Sequence, residues 1–224
     1  MNEFESKQAE WDSIANASAD FKKQVGRPFD DTAWLALSAD VLSKLELDSA
    51  SKGNVLDVGC GNGLLLSKIS NNFNEIVGVD YSESMVDKAR MLLSDGTFTQ
   101  SEANSLRFKN NYFDRVLCYS IFHYFPSYDY ALEVILEMIR VTKPGGLILL
   151  GDILDANFES EIKGNSDLEY EKTIPLIHRY SQWRFYDFEK LTDDLVAYVK
   201  KVEVLTQPET FMLATYRKDV RIWV

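Results

Sequence analysis

Three glycines alternate with small residues directly after a short hydrophobic run, in Val55-Leu56-Asp57-Val58-Gly59-Cys60-Gly61-Asn62-Gly63. The run reads as a strand ending in a turn that takes positive φ and lets the backbone approach a ligand closely. Leu64-Leu65-Leu66 then opens a helix whose N-terminal amides face the same space. A dinucleotide-binding turn is the competing assignment, but it wants G-x-G-x-x-G, and position 64 is leucine. Asp57 would also set a carboxylate beside a dianionic pyrophosphate, a repulsive arrangement in a partly desolvated cleft. A cationic ligand without phosphate reverses that sign.

S-adenosylmethionine, with its sulfonium and ammonium, is such a ligand, and a second acidic residue fits it. Asp80 ends the run Val77-Gly78-Val79-Asp80, 17 residues after Gly63, where a carboxylate can accept hydrogen bonds from both hydroxyls of a ribose. The alternative role, capping the next helix, suits Ser82 better, because Ser82 directly precedes the helical stretch 83–89.

The elements that position these residues follow from periodicity. Two amphipathic helices, near 4–24 and 29–48, precede the glycine turn and are separated by the turn signal Gly26-Arg27-Pro28. Strands near 54–58, 75–79, 97–100 and 114–119 then alternate with helices near 63–70, 82–93 and 128–140, the grammar of a parallel sheet. Lys143-Pro144-Gly145-Gly146 closes the last of these helices, and a buried strand at 147–151 follows. Residues 155–185 are polar and aromatic and long for a loop, which predicts a substrate lid. A helix near 186–199 leads to strands near 201–206 and 210–217, joined as a hairpin by Thr206-Gln207-Pro208-Glu209. The terminal Asp219-Val220-Arg221-Ile222-Trp223-Val224 alternates like a strand, to pair with its own sheet or with another subunit. The division expected is one domain, 1–224, comprising a helical cap (1–50), a cofactor-binding core (51–154), a lid (155–185) and a C-terminal helix and hairpin (186–224).

Composition narrows the partners. The 224 residues suffice for one well-cored domain with an elaboration. A formal charge of −11 opposes a broad phosphate-binding footprint, which excludes DNA, disfavours RNA and favours a small acceptor. Basic spots at Lys22-Lys23 with Arg27, and at His178-Arg179 with Arg184, suit at most a small anionic group. The N-terminal stretch has neither a basic start nor an apolar core, and no run approaches a membrane span, so a cytoplasmic location is expected. Two cysteines, Cys60 and Cys118, make neither a disulfide framework nor a zinc set, and no metal is expected.

VLDVGCGNG, GVDYSESM, FTQSEANSLRF with FDRVLCYSIFHYF, and KPGGLILLGD together resemble the class I S-adenosylmethionine-dependent methyltransferases, continuously over residues 54–153. The resemblance implies a Rossmann-like α/β fold with helices on both faces of a seven-stranded, mostly parallel sheet, order 3-2-1-4-5-7-6, the last strand antiparallel. It implies that Gly59, Cys60, Gly61, Asn62 and Gly63 pass under the methionine part of the cofactor, with Asp57 near its amino group, directly or through water. Asp80 would hold the ribose and Tyr81 and Met85 the adenine. Glu102-Ala103 stands where the family has Asp and a small residue to read the adenine edge, and the extra methylene of Glu102 is a departure. Cys118 and Tyr119 would flank the sulfonium.

His123, at the acceptor mouth, is the candidate base, since a neutral imidazole can take a proton from an acceptor hydroxyl or ammonium; packing between Phe122 and Tyr124 is the alternative. Trp11, Tyr124, His178, Arg179, Trp183 and Arg184 are the candidate acceptor contacts, with Trp11 alternatively a cover over the cofactor. The expected activity is methyl transfer to a small molecule by in-line displacement, with oxygen slightly favoured over nitrogen and S-adenosylhomocysteine as product. A protein or RNA acceptor, or a non-catalytic S-adenosylmethionine-binding module, are the rivals. A monomer or homodimer is expected.

Overall fold

The computed structural model describes residues 3–25, 29–47 and 52–224; the turn signal at 26–28 lies outside them. Helices α1 (Glu3–Ala17) and α2 (Asp31–Lys44) come first. They are followed by β1 (Asn54–Val58), α3 (Leu64–Ile69), β2 (Glu75–Asp80), α4 (Glu83–Leu92), β3 (Thr97–Gln100), β4 (Phe113–Tyr119), α5 (Tyr128–Val141) and β5 (Thr142–Leu154). Short helices α6 (Glu159–Gly164) and α7 (Leu168–Glu171) lead to α8 (Phe188–Leu195), β6 (Lys201–Thr206) and β7 (Arg217–Trp223).

The seven strands form one sheet in the order β3-β2-β1-β4-β5-β7-β6. Pairings from β3 to β5 are parallel, and β7 runs antiparallel to both β5 and β6. This is the expected architecture. The last strand is not where the sequence pattern suggested. Residues 207–216 are a connection containing a 3-10 turn, Ala214–Tyr216, and the terminal alternating segment is itself β7, lying between β5 and β6. The apolar residues of 210–216 that mimic a strand instead include the walls Met212 and Leu213 of the cavity described below.

Strand alternation splits the core into two layers. Leu56, Val58, Val116, Cys118, Ile148 and Leu150 face α5 and α8, whereas Val55, Leu117, Tyr119, Leu147 and Leu149 face α2, α3 and α4. The α5 stripe Ala131, Val134, Ile135, Met138 and Val141, at helical spacing, is fully buried on the first layer. Helix starts are set by side-chain caps: Asp30 accepts the Ala33 amide at 2.8 Å, Ser82 that of Met85 at 3.1 Å, and Ser127 that of Tyr130 at 3.0 Å. No helix among the described residues is long and apolar enough to cross a membrane.

Candidate cofactor and acceptor site

The parallel strands all present their C-terminal ends to one side, where open α/β sheets bind ligands. A cavity of about 600 Å³ opens there. Its floor is the turn after β1. Gly59, Gly61 and Gly63 have φ of 78°, 53° and 77°, and Gly59 and Cys60 both donate amides to the Val79 carbonyl, at 2.8 and 2.9 Å. A Cβ on Gly59 would lie 2.5 Å from Ile121 Cδ1, while at Gly61 it would meet nothing within 4 Å. Gly61 thus borders open cavity, and its missing side chain leaves that space for a ligand.

Asp80 stands at the end of β2 beside this turn. Its Oδ2 accepts the Gly61 amide at 2.8 Å and its Oδ1 the Ser82 amide at 2.9 Å. Burial pushes its pKa up to about 6, against the pull of those two amides. Asp57 lines the cavity at 3% exposure, and its Oδ1 has no hydrogen-bond partner. Burial, with the nearby Asp80 charge adding, pushes the Asp57 carboxyl up to about 8. Trp34, also on the wall and 3% exposed, has an indole N–H without a partner. Both atoms are buried without a partner, a costly arrangement, in residues that line the cavity.

The first helix covers this floor. Gln8 donates to the Tyr81 carbonyl at 2.6 Å, Asp12 accepts the Ser82 hydroxyl at 2.5 Å, and Phe4 packs on Tyr81 and Tyr130 with ring centroids 5.2 and 5.8 Å apart. Asn62 is fully buried, and its amide donates to the Phe21 carbonyl at 2.8 Å and to Gln24 at 2.9 Å, tethering the segment between α1 and α2.

Opposite the floor, aromatic residues close the cavity. His123, 2% exposed, lies 4.0 Å from Tyr124 and 4.8 Å from Trp183 by ring centroids, and Trp11 meets Tyr124 edge-on at 5.7 Å. His178 lines the same space, and burial lowers its pKa, favouring the neutral imidazole. The stretch carrying His178 and Trp183 is fastened to α1: the Glu10 carboxylate accepts the Leu176 and Ile177 amides at 2.9 and 3.1 Å.

Asp57, Gly59, Cys60, Gly61, Asn62, Asp80, Tyr81, Met85, Ala103, Tyr119, His123, Trp11, Tyr124, His178 and Trp183 therefore border one cavity, and Gly63, Glu102, Cys118, Arg179 and Arg184 do not. Gly63 packs instead on α4, where a Cβ would lie 3.1 Å from that of Ala89. Glu102 is exposed, beside the cavity-lining Ser101 and Ala103. Cys118 points into the opposite core layer from Tyr119, as strand alternation requires. Arg179 Nε donates to the Ile174 carbonyl at 2.9 Å, and Arg184 Nε to that of Phe125 at 3.1 Å, so both guanidiniums hold loops. Sequence reasoning missed Phe4, Leu213 and Arg217 on the wall; the unpaired alternation of the C-terminal segment was the available signal for Arg217.

Residues 56–150 match the family model described as a methyltransferase domain. A demethylmenaquinone methyltransferase of Staphylococcus saprophyticus is 34% identical over 115 residues, covering 49% of this chain and 47% of that protein. The chain spans less than half the length of the curated relatives it matches. Among solved structures, the PH0226 protein from Pyrococcus horikoshii superposes with a TM-score of 0.67 at 21% identity, covering 87% of this chain and 92% of that one. The DhpI–SAH complex superposes at 0.63 and 18% identity, covering 98% and 95%. At those identities the likeness is one of fold, and it extends over cap, sheet and C-terminal strands alike. Sheet order, glycine turn and matched stretch agree: residues 56–150 match the methyltransferase domain family, and the described chain has the Rossmann-like fold of S-adenosylmethionine-dependent methyltransferase structures.

Proposed function

We propose that the chain transfers a methyl group from S-adenosylmethionine to a small-molecule acceptor, with oxygen slightly favoured over nitrogen. The observation that carries this reading is that one cavity of about 600 Å³ is lined both by the buried carboxylates Asp57 and Asp80 and by an aromatic cluster that holds His123. Pockets for a drug-sized ligand span roughly 300–1,000 Å³, so the space suits a nucleoside donor with a small acceptor beside it rather than a macromolecular segment.

In this reading Asp57 takes the ammonium of the methionine part, Trp34 faces its carboxylate, and Asp80 accepts from the ribose with the lone pairs its two amide bonds leave over. Tyr81 and Met85 flank the adenine. The cofactor, when bound, supplies an electrophilic methyl group on a sulfonium. The protein's part is to align the acceptor with it, exclude water and receive a proton. Tyr119 is held for this by the sheet itself, since a Cβ on Gly151 would sit 2.0 Å from its ring. His123 and His178 are the proton acceptors offered to a hydroxyl, and this is why oxygen is favoured. Residues 155–185 act as the lid, and α1 as the cover over the cofactor.

The test is incubation with methyl-labelled S-adenosylmethionine and a fractionated small-metabolite extract, with Asp80→Ala as control. Label in a small-molecule fraction with the intact protein alone supports the reading. Cofactor binding with label only in macromolecules, or nowhere, overturns the small-acceptor assignment.

A further inference from the structure

The cavity is unevenly charged. Its lining carboxylates, Asp57 and Asp80, both belong to the donor floor, and Arg217 is the one lysine or arginine among the described lining residues. Arg217 is 5% exposed and pairs with Asp152, so little of it is open to a ligand. Burial lowers the pKa of His178 and favours its neutral form. Besides His178, residues 155–185 bring Tyr170, Ile174, Pro175, Tyr180 and Trp183 to the wall, and the connection between β6 and β7 brings Met212 and Leu213. A charged group laid against such a wall loses hydration without gaining a partner.

Three of these side chains are left open to solvent: Tyr170 is 61% exposed, Tyr180 45% and Met212 60%. Large apolar groups gathered at the mouth of one cavity mark a binding surface, whereas single ones scattered over a face do not. The backbone holds them there. Glu171, itself buried, accepts the Ser181 amide at 3.1 Å and the Ser181 hydroxyl, tying together the two segments that carry Tyr170 and Tyr180. Leu213 takes a φ of 72°, a left-handed conformation unfavourable for leucine, in the turn that brings Met212 to the cavity. Strain of this kind collects at ligand clamps.

We propose that the acceptor is an uncharged lipophilic molecule longer than a single ring, whose apolar body runs from the methylated atom out to the mouth and lies there against Tyr170, Tyr180 and Met212. This rests on the reading that the cavity holds an acceptor beside S-adenosylmethionine. The three rim residues then select acceptors by the length and charge of the body, independently of the atom that is methylated.

Phenols with graded tails test this: 4-propylphenol, 4-heptylphenol and 3-(4-hydroxyphenyl)propanoate, the last nearly as long as the first but ending in a carboxylate. Each is titrated calorimetrically into protein saturated with S-adenosylhomocysteine. The heptyl probe is expected to bind about tenfold or more tighter than the propyl one, the scale of four methylenes half removed from water. The propanoate should bind about tenfold or more weaker than the propyl probe. Tyr170→Ser combined with Met212→Ser, at positions more than half exposed and therefore of little consequence for folding, should cut the heptyl gain to about threefold or less. A heptyl probe that binds no better than the propyl one, or not at all, overturns the proposal. So does a propanoate that binds as tightly as the propyl probe, or a full heptyl gain in the double variant. S-adenosylhomocysteine affinity, measured first without phenol, reports on the donor site alone. Phenols that bind only when S-adenosylhomocysteine is absent would show the two competing for one space, which overturns the shared-cavity reading and this inference with it.

Discussion

Asp80 Oδ2 accepts the Gly61 amide at 2.8 Å, so the last residue of one strand holds the ligand-facing turn of its neighbour in place. Removing that carboxylate has two opposed effects on stability. Asp80→Ala strands the Gly61 and Ser82 amides, at about 1–3 kcal/mol each, but relieves a buried acid already pushed up to about 6. The net change in stability is expected within about 2 kcal/mol, whereas S-adenosylhomocysteine affinity falls by about a hundredfold. Calorimetric titration alongside thermal denaturation separates the two; a collapsed fold with near-normal affinity in the folded remainder contradicts the assignment.

Asp57 makes donor binding pH-dependent. Its pKa is raised, to about 8, so the folded protein holds a proton there that the unfolded chain releases near 4. The resulting stability is complete below the unfolded value and is lost as pH rises toward 8. A bound ammonium favours the ionised form, so affinity should climb between pH 6 and 8, by at most about tenfold per unit, with a proton released on binding. Titrations in buffers of different ionisation enthalpy measure that proton. Asp57→Asn should abolish the slope; an unchanged slope in the variant would place the titrating group elsewhere.

Two glycines of one turn should respond differently to alanine. At Gly61 the cost is the positive φ alone, about 1–2 kcal/mol, yet the added methyl occupies ligand space. At Gly59 the same strain is joined by a 2.5 Å approach to Ile121, for a total of about 2–4 kcal/mol. Gly61→Ala is thus expected to be the more stable variant and the poorer binder, as denaturant unfolding and S-adenosylhomocysteine titration would show.

Lys44 supplies a control remote from the donor. Its ammonium bridges Asp40 and Asp219, and Asp219 is fully buried. Lys44→Met leaves that carboxylate uncompensated and should cost about 3–5 kcal/mol, with S-adenosylhomocysteine affinity within twofold of normal. A loss of donor affinity larger than that would show that the Lys44 contacts also set the position of Trp34 on the same helix.

His123→Asn tests the base. Once an acceptor is found, a proton-accepting role predicts a fall in turnover of about a hundredfold or more, with donor affinity unchanged and the acidic limb of the pH–rate profile altered. A variant that turns over normally but melts earlier would leave His123 as packing between Tyr124 and Trp183.

The sheet was legible because its strands carry their signals locally: apolar runs, glycine turns and a serine cap at 82 each act within a few residues. The final strand was not, because a strand antiparallel to both neighbours is placed by long-range pairing, and 210–216 offers an equally apolar decoy. Cys118 and Tyr119 show the same divide at the site. Adjacency in a strand suggests a shared role, while the pleat sends the two side chains to opposite layers. Arginine near aromatic residues reads as ligand binding, yet Arg179 and Arg184 spend their donors on backbone carbonyls, while Arg217, far along the chain, reaches the cavity.

The Glu10 carboxylate, by accepting the Leu176 and Ile177 amides, fastens the roof over the donor to the roof over the acceptor. Two covers sharing one latch make a single door. In the proposed reading, opening the cavity on the donor side would also loosen its acceptor side, and Glu10 in the first helix would couple the two.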